Sequence, residues 1–281
     1  MLQNNLFLRV MLDARKTGSA VAAINILNYN TARATLRAAQ AAGRDVILQP
    51  STGTVKRYGV SETYSMVEGL RRAFPVRASL HLDHCRDSAL ARACIDAGWD
   101  SVMMDFSALP MEENIGKTRE IVLYAHERGV AVEGEVGVIS GVEEDTSAEN
   151  AHPANYEDTV RFIRESGVDA IAPSIGTAHG FYKNAPVLNY GLTERLGKLE
   201  TPLVVHGGTG LSPEAFHKLI RLGAAKVNIS TALKQTYLGT ARGELQNPKV
   251  NPIDFDLAVE DACAAMLEKH IRVFGGEDIT L

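Results

Sequence analysis

Short apolar runs alternate with longer stretches of helical pattern along this 281-residue chain. Apolar runs of this length, nearly free of polar positions, are typical of parallel strands that are buried on both faces. They predict strands at residues 20–25, 46–51, 78–84, 101–107, 131–137, 170–176, 203–208 and 226–231.

The stretches between these strands predict the helices that connect them. They cover residues 31–42, 61–73, 87–97, 112–128, 156–166, 190–196 and 213–222. Ser61 is the expected N-cap of the second of these helices. Glycines are common just past a helix end, and the chain has them at Gly43, Gly98, Gly129, Gly167 and Gly223. Two further helices are predicted, at residues 6–16 and 254–274.

The alternation of eight strands with helices favours a (β/α)₈ TIM barrel over an open doubly wound sheet. A barrel of about 250 residues forms one domain. We therefore expect residues 1–281 to be a single α/β domain with an extra N-terminal helix and a long C-terminal helix. The connection at residues 138–155 is long and acidic, and we interpret it as a lid with Gly141 as a hinge. A disordered insertion is the alternative.

The composition of the chain mainly excludes classes of partner and of cellular location. The net charge of −5 argues against nucleic acid or an anionic membrane surface as the main partner. No apolar run reaches the roughly 18 residues of a membrane span, and the first residues lack the pattern of a signal peptide. Three well-separated cysteines fit a reduced compartment, so we expect a cytoplasmic protein.

Three histidines give the strongest chemical signal. His84, His179 and His206 each lie at the end of a short apolar run. Imidazoles at the ends of parallel strands can converge on one ion, and three nitrogen ligands with an open position are typical of catalytic zinc. For any one of these histidines alone, the alternative is a packed core residue with satisfied hydrogen bonds.

Other polar residues fall at the same strand ends, where the active sites of barrels lie. They are Asn25, Ser51, Asp83, Asp105, Glu133, Glu135 and Asn228. Asp83 directly precedes His84, which suits a carboxylate that moves a proton beside a metal. His81 lies inside its strand, and we interpret it as structural or as a support of the site.

The turns that follow the seventh and eighth predicted strands indicate an anion site. A glycine-rich turn follows His206, and a second turn at residues 228–231 opens a helix. Barrels often bind phosphate at the loops after their seventh and eighth strands, where glycines and a helix N-terminus present backbone N–H groups. A phosphorylated substrate is the prediction, and two ordinary tight turns are the alternative.

Together these motifs resemble the class II, zinc-dependent fructose-bisphosphate and tagatose-bisphosphate aldolases. The motifs are His-Leu-Asp-His at 81–84, Glu-Gly-Glu-Val-Gly at 133–137, Glu-Glu-Asp at 143–145, Gly-Thr-Ala-His-Gly at 176–180, His-Gly-Gly-Thr-Gly-Leu-Ser at 206–212 and Lys-Val-Asn-Ile-Ser-Thr at 226–231. The similarity covers nearly the whole chain and is closer to the shorter, tagatose-type branch. It implies a (β/α)₈ barrel and a lyase of carbohydrate metabolism. That enzyme would reversibly cleave a ketose 1-phosphate or bisphosphate to dihydroxyacetone phosphate and an aldehyde, through an enediolate stabilised by zinc.

The resemblance implies a metal site of five residues. His84, His179 and His206 match the family's catalytic zinc ligands. Asp105 and Glu135 match residues that hold a second or displaced zinc. A monovalent cation and a homodimer or homotetramer are further implications.

The resemblance also implies catalytic and substrate-binding roles. Asp83 matches the acid that moves the proton of the C4 hydroxyl, and Glu143 matches the acid that exchanges a proton on the dihydroxyacetone phosphate carbon. Phosphate and enolate contacts are implied for Gly180, Gly207, Gly208, Thr209, Asn228, Ile229, Ser230 and Thr231. Substrate contacts are implied for Asn25 and Ser51.

Some positions depart from the family pattern. Ser230 and Ala232 stand where some fructose-type members have acidic residues, and Ile253 stands where many relatives have an arginine associated with the far phosphate. The substrate is therefore either a bisphosphate or a ketose 1-phosphate with a different tail. Further positive charge is available from Lys56, Arg57 and Lys183.

Two other functions remain open at the level of sequence. A metal-dependent phosphosugar epimerase on the same fold would need two acids on opposite faces of one carbon and would release no triose phosphate. A non-catalytic partner subunit of an aldolase would be marked by loss of a metal ligand or of Asp83, and the chain retains all of them.

Overall fold

The computed structural model describes residues 2–143, 146–148, 152–180 and 186–281, and for residues 140, 142–143 and 146–148 it describes the backbone alone. Within these ranges the strands are β1 (Val21–Ile24), β2 (Val46–Leu48), β3 (Ala78–Cys85), β4 (Ser101–Met104), β5 (Ala131–Val136), β6 (Ser140–Glu143), β7 (Thr146–Ala148), β8 (Ala170–Pro173), β9 (Ala178–His179), β10 (Leu203–Val205) and β11 (Ala224–Ile229). Eight of them close into a parallel barrel in the order β1-β11-β10-β8-β5-β4-β3-β2.

The α-helices of the described residues surround the barrel, and the first of them closes its N-terminal end. They are α1 (Leu6–Lys16), α2 (Tyr29–Ala42), α3 (Thr52–Tyr58), α4 (Val60–Ala73), α5 (Ser88–Asp96), α6 (Met111–His126), α7 (Tyr156–Ser166), α8 (Tyr190–Leu196), α9 (Pro213–Arg221), α10 (Thr231–Glu244) and α11 (Pro252–Phe274). Every one of these helices is too short or too polar to cross a membrane.

The predicted (β/α)₈ barrel is confirmed, including α1 before the first strand and the long α11 at the C-terminus. Some local predictions are wrong. The strands predicted at 101–107 and 203–208 end at Met104 and Val205. The second strand ends at Leu48, and Ser51 instead caps α3 by accepting a hydrogen bond from the Thr54 N–H. Ser61 is not the N-cap of α4, because Gly59 holds that position with a φ of 98°.

The long acidic connection contains secondary structure that its composition did not predict. β6 and β7 form an antiparallel hairpin, and β9 pairs in parallel with β6. The barrel strand predicted at residues 170–176 ends at Pro173, so the segment that leads to His179 leaves the barrel and joins this small sheet. Residues 144–145 and 149–151 of the connection lie outside the described residues.

The barrel interior is filled from its N-terminal end by α1. Asn5, the N-cap of α1, donates hydrogen bonds to the carbonyl oxygens of Asp100 and Gly129. Asp100 directly precedes β4, and Gly129 lies just before β5. The buried faces of Phe7 and Met11 therefore join the apolar layer inside the strands. With this end closed by apolar side chains, polar chemistry is confined to the other end of the barrel.

Candidate functional site

Strand periodicity places the polar residues of the site. Successive residues of a strand point to opposite faces, so residues two apart share the barrel interior. Five strands contribute such pairs, His81 with Asp83, Met103 with Asp105, Glu133 with Glu135, Val204 with His206, and Lys226 with Asn228, and all of these residues are buried. The second member of each pair lies at the C-terminal end of the barrel.

His84 breaks this alternation. His84 follows Asp83, whose side chain faces inward, so in a regular strand the His84 side chain would face outward. Its φ of 45° is the only left-handed value of a non-glycine residue among the described residues, and the register between β3 and β4 shifts between Leu82 and Cys85. This strained geometry brings His84 into the interior beside Asp83, while Cys85 joins the outer apolar core.

His179 lies in β9, outside the barrel strands, and two glycines allow other backbone segments to pack closely against it. Gly141 pairs with His179 across β6 and β9, and a Cβ at Gly141 would come within 2.2 Å of the His179 carbonyl oxygen. On another side of this segment, a Cβ at Gly207 would lie 2.4 Å from the Ala178 carbonyl oxygen. Both glycines have positive φ, 111° and 67°. Gly141 therefore permits close backbone approach to a site residue rather than acting only as a hinge.

The three histidines predicted as ligands come together. Candidate ligand atoms of His84, His179 and His206 all lie within 4.8 Å of one another. Their ring centroids are 4.6 to 6.0 Å apart and their planes cross at 77° to 89°. Nearly perpendicular rings aim their nitrogens at a common point instead of stacking, as ligands of one ion do.

Hydrogen bonds on the outer sides of two rings show which nitrogens face inward. His84 Nδ1 lies 3.2 Å from Asp105 Oδ2, and His206 Nε2 lies 2.9 Å from Glu133 Oε1. These carboxylates accept the ring protons, so the facing nitrogens, His84 Nε2 and His206 Nδ1, present lone pairs to each other at 2.9 Å. Two facing lone pairs need a cation between them, either a proton or a metal. The donor set therefore fits a bound metal ion, with carboxylates supporting two of its imidazole ligands.

A second candidate metal group shares one ligand with the first. It consists of His84, Asp105 and Glu135, again with ligand atoms within 4.8 Å. Ser107 Oγ donates to Asp105 Oδ1 at 2.7 Å and lies 3.0 Å from Glu135 Oε1, which ties the two acids together. The predicted pair of acids is thus placed beside the histidines, as the resemblance implied.

The acids create a strongly negative environment around His84. Burial opposes charge on the imidazole, but Asp83, Asp105 and Glu135 outweigh burial and raise the pKa of His84 well above its usual value. Burial, followed by the charge of Asp105, raises the pKa of Glu135 well above its usual value. Burial also opposes ionisation of Asp105, but His84 and Arg86 outweigh it and lower the pKa of that carboxyl group. These acids therefore favour a positive charge on His84, whereas burial lowers the pKa of His206.

Two amide side chains, linked by a hydrogen bond, orient Asp83. Asn25 Nδ2 donates to Asp83 Oδ2 at 2.6 Å, and Gln49 Nε2 donates to Asn25 Oδ1 at 2.8 Å. The other oxygen, Asp83 Oδ1, is buried and has no hydrogen-bond partner among the described residues. The backbones of Ser51 and Asp83 form an isolated parallel β-bridge. Both predicted substrate-contact residues, Asn25 and Ser51, therefore lie next to this acid.

The two predicted phosphate turns line one small cavity beside the histidines. Its walls are His179, Gly180, Gly207, Gly208, Thr209, Asn228, Ser230 and Thr231. The N-terminus of α10 opens at this cavity, and its N-cap residue Ser230 makes no capping hydrogen bond with its own side chain. Ser230 Oγ and Asn228 Oδ1 are instead buried without hydrogen-bond partners among the described residues. The start of a 14-residue helix and these polar atoms suit an anion.

One predicted contact residue turns its side chain away from this cavity. Ile229 does not line this cavity, and its side chain packs in the outer core. It follows the inward-facing Asn228 in β11, so strand alternation turns it to the outer face. A contact of Ile229 with the substrate, through its backbone, therefore stays a prediction.

Two residues of the site gain their meaning only from the structure. The sequence places Glu133 at a strand end and Lys226 within an apolar strand. Both begin motifs that carry the family resemblance, but no role is implied for either of them. Lys226 Nζ donates to Glu133 Oε2 at 2.8 Å, and both side chains are fully buried. A lysine in the interior of a barrel suggests a Schiff-base nucleophile, but this ammonium group is engaged in an ion pair one layer below Asn228. Its spacing of two from Asn228 was the available signal.

Two predicted residues are described only in part or not at all. The backbone of Glu143 ends β6, two residues beyond the Gly141 that pairs with His179, and its side chain lies outside the described residues. Lys183 lies outside the described residues altogether.

Comparisons with known proteins agree with this geometry. The family model described as fructose-bisphosphate aldolase class-II matches residues 6–278. The chain is 36% identical over 273 residues to a protein of Staphylococcus aureus named fructose-bisphosphate aldolase, covering 95% of each chain. It is also 36% identical over 275 residues to a protein of that name from Geobacillus stearothermophilus, covering 95% of this chain and 96% of the relative.

Solved structures show the same similarity. A protein of Coccidioides immitis, provisionally assigned as a fructose-1,6-biphosphate aldolase, matches with a TM-score of 0.91 and 28% identity, covering 99% of this chain and 98% of that one. The YdjI aldolase from Escherichia coli K12 matches with a TM-score of 0.85 and 28% identity, covering 97% of each chain.

Gly141→Ala tests whether the hairpin holds His179 in place. The added methyl group would clash with the His179 backbone, so β9 must move and carry the imidazole with it. We expect Zn²⁺ affinity, measured by competition with a chromophoric chelator, to fall by about 10- to 100-fold, as for other lost supports of a metal ligand. Gly116→Ala in α6 is the control, because a methyl group there meets nothing within 4 Å. Wild-type affinity in a folded Gly141→Ala protein would show that the hairpin does not position His179.

Proposed function

The chain belongs to the class II fructose-bisphosphate aldolase family, and on this premise we propose that it is a zinc-dependent aldolase that cleaves a phosphorylated ketose to dihydroxyacetone phosphate and an aldehyde. The observation that carries the proposal is the convergence of His84, His179 and His206 beside a buried carboxylate, Asp83, and an anion cavity. Aldol cleavage needs all three features, since a proton must leave a hydroxyl, an enediolate must be stabilised, and the phosphate must be held.

Zinc is the proposed metal at the three histidines. A set of three neutral imidazoles is typical of catalytic zinc, and two nitrogens bound to one tetrahedral zinc stand about 3.3 Å apart. The 2.9 Å between His84 Nε2 and His206 Nδ1 is close to this spacing. When bound, zinc would act as a Lewis acid that polarises the ketose carbonyl and balances the charge left by carbon–carbon cleavage. Asp105 and Glu135 are proposed to hold a second or displaced zinc together with His84.

Asp83 is the proposed general base for cleavage. It removes the proton of the C4 hydroxyl as the C3–C4 bond breaks, and the bonding electrons move to the enediolate of dihydroxyacetone phosphate. Its free oxygen, Oδ1, supports this role, because Asn25 occupies only Oδ2 and fixes the orientation of the carboxylate. In the condensation direction the same group returns the proton to the new hydroxyl.

The cavity at the start of α10 is the proposed site of the dihydroxyacetone phosphate group. Backbone N–H groups of the glycine-rich turn and of the first turn of α10 are the proposed donors to the phosphate. Ser230 Oγ provides a further buried hydroxyl donor, and Thr209 links the two turns by accepting from the Ala232 N–H at 3.2 Å. His179 lines the same cavity, so a substrate held there by its phosphate lies next to the metal ligands.

Glu143 is the proposed acid that protonates the enediolate at C3 to give dihydroxyacetone phosphate. Its backbone lies in β6, whose neighbouring Gly141 pairs with His179, and this pairing supports a location near the site. Because β6 belongs to the hairpin of the long connection, we propose that the hairpin delivers Glu143 as a lid over the bound substrate.

The far end of the substrate is proposed to be either a phosphate or a different tail, unphosphorylated or otherwise anionic. The names of the relatives support a bisphosphate. On the other hand, Ile253 at the start of α11 is 69% exposed and carries no charge, and Lys56 is engaged by Asp87 at 3.3 Å. Ser51 lies beside Asp83 and is the proposed contact for this end of the substrate. The monovalent cation, the homo-oligomer, the single-domain organisation and the cytoplasmic location stay predictions.

The direct test is release of dihydroxyacetone phosphate, coupled to glycerol-phosphate dehydrogenase. Fructose 1,6-bisphosphate, tagatose 1,6-bisphosphate and fructose 1-phosphate are compared as substrates. We expect cleavage of at least one of them, loss of activity after treatment with a chelator, and recovery with Zn²⁺. Conversion of these sugars to epimers, with no triose phosphate released, would contradict the proposal.

Asp83→Asn separates the proposed base from the metal ligands. The substitution keeps the shape of the side chain and an acceptor for Asn25, but removes the basic oxygen. We expect zinc content and fold to be retained, and kcat for cleavage to fall by about 10²- to 10⁴-fold, as for loss of a general base. Zinc content is measured by atomic absorption on the sample used for kinetics. If zinc and activity are lost together, Asp83 is a structural residue instead.

Glu143→Gln is expected to slow a different step. Exchange of the dihydroxyacetone phosphate C3 proton with deuterium, followed by NMR without any aldehyde, should slow by about 10²-fold or more. The binding constant of dihydroxyacetone phosphate should change little, because its proposed phosphate site belongs to the barrel. Asp83→Asn is the matched comparison, since it should retain most of this exchange. Wild-type exchange in Glu143→Gln would leave Glu143 as a solvated acid of the hairpin.

A further inference from the structure

We propose that Glu133 and Lys226 are positioning residues that fix the imidazole of His206, so that its Nδ1 lone pair faces the other two histidines. The inference rests on the proposed metal site. It adds a buried ion pair, inside the barrel and below the substrate, as the element that selects the tautomer of one ligand.

Glu133 has separate partners for its two carboxylate oxygens. Oε1 lies 2.9 Å from His206 Nε2, and Oε2 lies 2.8 Å from Lys226 Nζ. A carboxylate in an ion pair with an ammonium group has no proton to donate. His206 must therefore donate its Nε2–H to Glu133, which leaves Nδ1 as the nitrogen with a lone pair.

Lys226 keeps Glu133 in this role. Both side chains are fully buried, so an ion pair is the arrangement that makes either charge tolerable there. The Phe7 ring of α1 lies 5.7 Å from Lys226 Nζ and stacks on His81 at 4.7 Å, which closes this layer toward the N-terminal end. Glu133 is thus held as an anion within hydrogen-bond distance of His206.

The contact of His206 with Asn228 does not select between its ring nitrogens. Asn228 Nδ2 lies 3.3 Å from both Nδ1 and Nε2, so it favours neither of them. His84 Nε2, 2.9 Å from Nδ1, faces the side on which the metal is proposed. The proton of the ring is therefore assigned by Glu133.

His84 is supported differently. Its partner Asp105 also binds Arg86, whose side chain is 48% exposed, and His84 belongs to both candidate metal groups. His206 belongs to one group and is bound to a fully buried ion pair. Of these two ligands, His206 therefore has the more deeply buried support.

The test removes the ion pair without leaving one charge unpaired. In the double variant Glu133→Gln with Lys226→Met, the amide introduced on β5 would either accept from His206 Nε2–H or donate to a bare Nε2, so the tautomer is no longer selected. We expect the affinity for Zn²⁺ alone, from chelator competition, to fall about 10- to 100-fold. In metal-free protein labelled with [¹⁵N]histidine, His206 should show a single Nε2–H tautomer in the wild type and a mixture in the variant. A His206→Asn protein assigns the signals.

Glu260→Gln is the matched control, because Glu260 is also a buried carboxylate paired with cationic side chains, those of Arg33 and Arg37 on α2. It should keep wild-type zinc affinity and the wild-type His206 spectrum. A wild-type protein with the His206 proton on Nδ1 would overturn the inference whether or not the double variant folds. So would unchanged zinc affinity in a folded double variant. These readouts use no substrate, so an absence of aldol cleavage with the expected zinc and NMR results would count against the proposed function alone.

Discussion

The compensation of buried negative charge shapes the C-terminal end of this barrel. Asp83, Asp105, Glu133 and Glu135 are all buried there, and a buried carboxylate without a countercharge is costly. Lys226 compensates Glu133 and Arg86 compensates Asp105. Burial, followed by the charge of Asp105, raises the pKa of Glu135. Burial opposes charge on His84, but the acids around the imidazole outweigh it and raise the pKa of His84. A divalent cation among the histidines would compensate the negative charge that remains.

The same constraint divides the acids by task. Glu133 lies deepest and holds a histidine through a fixed ion pair. Asp105 and Glu135 share Ser107 and form a second ligand group with His84. Asp83 is held by Asn25 at one oxygen only, which leaves the other oxygen for proton transfer. Glu133 and Glu135, for example, belong to the same strand, yet they have different chemistry because each has different neighbours in the barrel.

Much of the fold follows from the sequence because apolar runs and glycine positions are local signals. The eight barrel strands, α7 and α8 fall at or close to their predicted places, and the histidines, Asp83 and the two turns meet as expected. Periodicity could not predict the left-handed φ of His84, which reverses the face of one residue. Nor could it place His179 in β9, because that position depends on the close approach of Gly141 and Gly207. The partnership of Glu133 with Lys226 joins strands 93 residues apart, which only the closed barrel brings together.

The most direct measurement is a crystal structure of the zinc-loaded protein with anomalous diffraction recorded on both sides of the zinc absorption edge. We expect one anomalous peak about 2.0–2.1 Å from nitrogens of His84, His179 and His206. Its His206 ligand should be Nδ1, with Nε2 still on Glu133. A peak bound to other residues, or a zinc-saturated protein with no peak at these three histidines, would contradict the account.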